Sequence, residues 1–139
     1  MVDSKKKGAA REREFRNYFR ERDIGVAIRI PASGSGIDMD LPDVLVGGQY
    51  NGMDYPWAVE LKSGSPSGNI YVEKEEVTAL CTFAAAFDAT PLVGVRWDKD
   101  TTWYLDDPTE LPITRSENVR LDPDDRDEYP RRVTRPDTY

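Results

Sequence analysis

Pro42-Asp43-Val44-Leu45-Val46 and Trp57-Ala58-Val59-Glu60-Leu61-Lys62 are the stretches whose reading decides the fold. Each is a short apolar run bounded by turn-forming residues, the pattern of a β-strand. Asp43 heads the first run, and Glu60 and Lys62 end the second. Side chains alternate faces along a strand, so Glu60 and Lys62 share one face while Val59 and Leu61 take the other. The Gly-rich connection Gly47-Gly48-Gln49-Tyr50-Asn51-Gly52 predicts that the runs pair as a hairpin over about 43–47 and 56–62. That pairing would set Asp43 beside Glu60, with an amine close by.

Outward from the hairpin, residues 5–22 read as a basic helix that Ser4 can cap, with Ala9, Phe15, Tyr18 and Phe19 as its apolar stripe. Gly25 ends that segment, a β-rich run follows over 26–30, and Pro31 stops it. Residues 31–42 and 63–70 read as polar loops. A second helix is expected from Glu73 to about Phe87, with Val77, Leu80, Cys81 and Ala84 on its sheet-facing side. Phe83 and Phe87 form an i,i+4 pair on what looks like a further apolar face. A helix apolar on most sides needs covering twice, so a partner subunit is expected to meet these phenylalanines. Strands at 91–97 and 101–105, joined through Asp98-Lys99-Asp100, complete an order α-β-β-β-α-β-β. That order predicts an α/β fold with a central mixed sheet flanked by helices. Prolines, acids and arginines dominate thereafter, predicting a domain over 1–106 and an acidic, mostly irregular tail over 107–139.

The 139 residues suffice for one core. With no histidine, His-based catalysis and His-containing zinc sites are excluded, and the single Cys81 excludes an internal disulfide. No run approaches the length of a membrane span, and no apolar stretch follows the N-terminal lysines, so a cytoplasmic protein without membrane association is expected. The net charge of −7 is unevenly spread: residues 1–30 carry nine Lys/Arg against five Asp/Glu, and the remainder is acidic. The basic end is where phosphate would be met. An acidic excess with six lysines suits a high-salt cytoplasm. At about 1 M salt the Debye length is only about 3 Å, and a distant acidic surface barely repels DNA.

Two carboxylates and an amine at one spot suit a phosphodiester-cleaving metal site. Mg²⁺ takes one or two carboxylates and completes its shell with water and substrate phosphate. An ammonium can orient a bound water or neutralise charge on the phosphorus under attack. Read alone, the same charges also fit a salt-bridged surface hairpin, although their position at the ends of apolar strands favours a site.

The residues Lys7-Gly8, Arg11-Glu12-Arg13-Glu14, Arg29-Ile30-Pro31-Ala32-Ser33-Gly34, Pro42-Asp43 and Val59-Glu60-Leu61-Lys62 occur in this order and at compatible spacing. Together they resemble the archaeal Holliday junction resolvases, which are PD-(D/E)xK nucleases with a restriction-endonuclease-like core. The resemblance continues through 70–72, Phe83, Phe87, Pro91 and Trp97, and covers about residues 5–105. It implies metal-dependent endonuclease action on four-way DNA junctions by a homodimer, without a small-molecule cofactor. It further implies that Asp43 and Glu60 hold Mg²⁺ (or Mn²⁺), that Lys62 acts on the water or the phosphate, and that Glu12 contributes to the metal site. Read alone, Glu12 is a solvent-facing charge on a helix rich in Glu–Arg pairs. The resemblance places Lys5, Lys6, Lys7, Arg11, Arg13 and Arg29 against DNA; alone, they read as solubilising or strand-end charge. The loop serine that approaches the junction is Ser33, or Ser35 if the register slips. Other nucleases of the same fold acting on linear or flapped DNA, and a silent DNA-binding module, are the competing readings.

Overall fold

The computed structural model describes residues 4–22, 25–30, 41–48 and 54–134. Helix α1 (Ser4–Arg22) is followed by strands β1 (Val26–Arg29), β2 (Val44–Gly47), β3 (Trp57–Gly64) and β4 (Ile70–Val72). Helix α2 (Lys74–Ala86) leads to β5 (Thr90–Trp97), β6 (Thr102–Asp106), β7 (Val119–Leu121) and β8 (Arg131–Thr134). Six strands form the central sheet in the order β1-β2-β3-β5-β6-β8, while β4 and β7 make a separate two-stranded ribbon. Among the described residues only β3 and β5 run parallel, joined by the crossover that contains α2, and the other central pairings are antiparallel. The expected mixed sheet between helices is the observed architecture. Among the described residues no helix is long and apolar enough to cross a membrane.

Strand alternation divides the core into two layers. On one face Val44, Val46, Trp57, Val59, Leu92, Trp103 and Leu105 receive Phe15, Tyr18 and Phe19 of α1. Phe15 meets Trp103 edge-on at 5.5 Å between centroids, and Phe19 meets Trp57 likewise at 6.0 Å. Such contacts favour aromatic pairs beyond the area they bury. On the other face Ala58, Val93, Val95, Trp97 and Tyr104 pack under Leu80, Phe83 and Ala84 of α2. Glu60 and Lys62 of β3 follow Ala58 on this second face, so the sheet presents them toward α2.

The C-terminal segment departs from the expected irregular tail. Through residue 134 it belongs to the fold: β8 pairs with β6 in the central sheet and β7 pairs with β4. Leu111, Val119, Leu121, Tyr129 and Val133 are buried. These apolar residues stand one at a time between charges, so no continuous run announces a strand. Their strands form because sequence-distant partners supply the ladders. The buried side chain of Val133 provides a direct check. Val133→Ala should lower stability by about 2 kcal/mol in urea unfolding, whereas a loose tail would leave the midpoint unchanged.

Candidate active site

The register of β2 on β3 pairs Val44 with Val59 and Leu45 with Ala58. One residue further, the same register sets Asp43 opposite Glu60 on the α2-facing side. Asp43 is held on three sides. Its N–H donates to Val59 O at 3.0 Å, its carbonyl accepts from Ile30 N–H at 2.9 Å, and its carboxylate accepts from Leu61 N–H at 2.8 Å. The two carboxyls lie half-buried beside each other, and Glu60 hydrogen-bonds the Asp43 carboxylate. Burial is the main cause that pushes Glu60 up to about 8, with the charge of Asp43 next. Burial also raises Asp43, against the opposing Leu61 hydrogen bond and the Lys62 charge.

Lys62 enters the same space and forms a 2.7 Å ion pair with Glu76 near the start of α2. Burial works against its ammonium. The hydrogen bond and charge of Glu76, followed by the charges of Glu60 and Asp43, reverse that effect and raise its pKa overall. Lys62 is therefore a fixed cation suited to donating hydrogen bonds and stabilising negative charge; its proton is held too firmly for a general base. A cleft of about 190 Å³ opens beside these groups, lined by Leu41, Pro42, Glu60, Glu76, Ala79 and Leu80. Glu76 was not among the residues anticipated from sequence. The acids Glu73, Glu75 and Glu76 at the start of the crossover helix were the available signal, since that helix must return across the face carrying Lys62.

Glu12 lies in the α1 layer and forms a 2.6 Å ion pair with Arg29 at the end of β1. Burial raises its pKa, Arg29 opposes this, and the charge of Asp43 raises it further. Glu12 thus senses Asp43 electrostatically, but among the described residues no three ligating side chains converge at one point. Arg11 bridges to Asp98 at 2.6 Å, tying α1 to the β5–β6 turn. Arg13 is exposed. Phe83 is buried and stacks on the exposed Phe87 at 4.6 Å. Ser33 and Ser35 lie outside the described residues, as do the side chains of Lys5, Lys6 and Lys7.

The chain as a whole is similar to a known group of proteins. The family model for the archaeal Holliday junction resolvase (Hjc) matches residues 3–127. The chain belongs to this family. Within the resolvase family, the crossover junction endodeoxyribonuclease Hjc of Sulfolobus acidocaldarius is 30% identical over 121 residues, covering 87% of this chain and 80% of that protein. The structure of Archaeoglobus fulgidus Hjc, a Holliday junction resolvase, superposes with a TM-score of 0.66 at 24% identity. That match covers 84% of this chain and 91% of the other, and shows a shared fold.

The paired oxygens of Asp43 and Glu60 form a hard donor set whose mutual repulsion a divalent cation would relieve, so the residues present fit Mg²⁺. Their carboxyl pKa values lie above the ordinary range, so the metal-free folded chain binds protons that the unfolded chain has released. This contribution is full below the usual carboxyl range and is lost as pH rises toward about 8, the value for Glu60. The difference in Tm between Mg²⁺-loaded and EDTA-treated protein should accordingly widen by several degrees from about pH 5 to about pH 8. A gap independent of pH would contradict the pairing of the two carboxyls.

Proposed function

We propose that this chain is a metal-dependent endodeoxyribonuclease that resolves four-way DNA junctions as a homodimer. The observation that carries the reading is the junction of Asp43, Glu60 and Lys62 at the ends of core strands in a member of the archaeal Holliday junction resolvase family. Bound Mg²⁺ (or Mn²⁺) would supply Lewis acidity at the phosphate and an acidified water. Asp43 and Glu60 hold the ion, and the Leu61 N–H fixes the orientation of the Asp43 carboxylate. Lys62, kept cationic, donates to the attacking water or to the phosphoryl oxygens as negative charge grows in the transition state. Glu76 positions the Lys62 ammonium, and Glu12 adds negative charge beside the pair. Arg13, exposed midway along α1, and Arg29, at the end of β1, would grip phosphate oxygens through their guanidiniums. Lys5, Lys6, Lys7 and the loop serine, Ser33 or Ser35, complete the proposed DNA surface, whereas Arg11 is held by Asp98 and Glu14. Such an enzyme works in the cytoplasm, and the acidic composition suits high salt.

Dimerisation is supported by an apolar patch. Val26, Ile28 and Phe87 are exposed, and with Leu45, Pro56 and Ala89 they surround a shallow cavity of about 350 Å³. A C2 dimer across this patch would present two sites, matching the near-twofold symmetry of a four-way junction. Phe87→Glu should convert the dimer to monomer in sedimentation and abolish paired nicking.

Cleavage of a labelled immobile four-way junction beside a linear duplex of the same sequence tests the activity. Paired nicks are expected with Mg²⁺ and none with EDTA, and the duplex should stay intact. Asp43→Asn should lower the cleavage rate by about 10²-fold or more while junction binding is retained. Cutting of linear or flapped substrates would indicate another nuclease of this fold, and binding without cleavage a silent module.

A further inference from the structure

One flank of α1 carries Arg13, Arg16, Asn17 and Arg20, at the i, i+3, i+4 and i+7 spacing of a single helical stripe. Together with Gly25, Val26 and Ala27 they line a groove of about 510 Å³ between α1 and the start of β1. The arginines in this groove differ from most others in the protein. Arg11, Arg29, Arg96, Arg126, Arg131 and Arg132 each face a carboxylate. Among the described residues, Arg13, Arg16 and Arg20 take part in no ion pair, and the shielded Nε of Arg16 has no hydrogen-bond partner. Among the described residues β1 is an edge strand, with a strand partner on one side of its backbone.

We propose that this groove binds the phosphate backbone of a duplex DNA arm leading away from the cleavage centre, with Arg16, Arg20 and Asn17 as its new contacts. On a chain with a net charge of −7, three guanidiniums in a row that make no ion pair among the described residues have a polyanion as their natural complement. Arg13 and Arg20 lie seven residues apart, about 10 Å along the helix. Phosphates of one DNA strand recur about every 3.4 Å along the duplex axis, so the stripe spans about three of them. The track is continuous with the active centre. Arg13 follows Glu12 directly, and the charge of Arg16 acts on the Glu12 carboxylate. At the other wall, β1 runs from Val26 to Arg29, which pairs with Glu12. Contacts of this kind hold and orient a duplex without reading its sequence.

The assignment rests on the reading of the chain as a junction enzyme, yet it is tested without cleavage. Binding of a four-way junction and of a linear duplex would be measured in EDTA across a salt series. The slope of log K against log salt should fall by about 1 for Arg20→Gln and by about 2 for Arg16→Gln/Arg20→Gln, on both DNAs. The charge-retaining Arg16→Lys/Arg20→Lys should keep the wild-type slope. If circular dichroism shows that the glutamine variant is unfolded, Ala27→Glu provides an independent route. A carboxylate in the groove should weaken low-salt binding by about fivefold or more. Unchanged slopes in a folded glutamine variant, or unchanged affinity in Ala27→Glu, would overturn the proposal. So would a shift in sedimentation with unchanged slopes, which would assign the groove to a protein partner. If the wild type cuts no junction while these slope changes appear, the groove stands and the proposed function falls.

Discussion

The active centre depends on the pairing of β2 with β3. Because Val44 lies opposite Val59, Asp43 arrives opposite Glu60, and the Leu61 N–H then fixes the Asp43 carboxylate. A slip of one residue would turn Asp43 toward the α1 layer and bring Val44 to the polar face. Val44 and Val59 are fully buried against α1, so core packing enforces the register that juxtaposes two mutually repelling carboxyls. Burial, and after it the charge of Asp43, give Glu60 its elevated proton affinity. The energy that holds the site together is hydrophobic and lies on the opposite face of the same strands.

Around this centre the charges fall into two groups. One is internal. Glu14 takes Arg96 at 2.7 Å and the Trp103 indole N–H at 3.0 Å, while Arg11 reaches Asp98, and together these fasten α1 to β5 and β6. Lys62 and Glu76 fasten α2 to β3 in the same way. The other group, the arginine stripe of α1, has no such partners among the described residues. An acidic protein can thus present a positive track when many of its other cations are held by carboxylates.

Much of this was legible in the sequence. The hairpin, the two helices, the mixed sheet and the adjacency of Asp43 to Glu60 follow from strand alternation and helical periodicity, which are local properties of runs such as 57–62 and 77–87. The ordered motifs also sufficed to suggest the family. What escaped was set by partners distant in the chain. The strands Val119–Leu121 and Arg131–Thr134 have too few apolar residues to signal themselves, and exist because β4 and β6 offer open edges. Glu76 joins the site only because the crossover helix returns over Lys62, a placement no spacing within 73–76 encodes. Glu12 pairs with Arg29 and feels the charge of Asp43, a placement set by packing between layers and not by spacing along α1. The sequence by itself determined which residues could do chemistry and the strand faces they occupy, since those depend on local geometry. Only the tertiary structure decided which charges are neutralised and which are left to bind, since that depends on contacts between layers separated by many tens of residues.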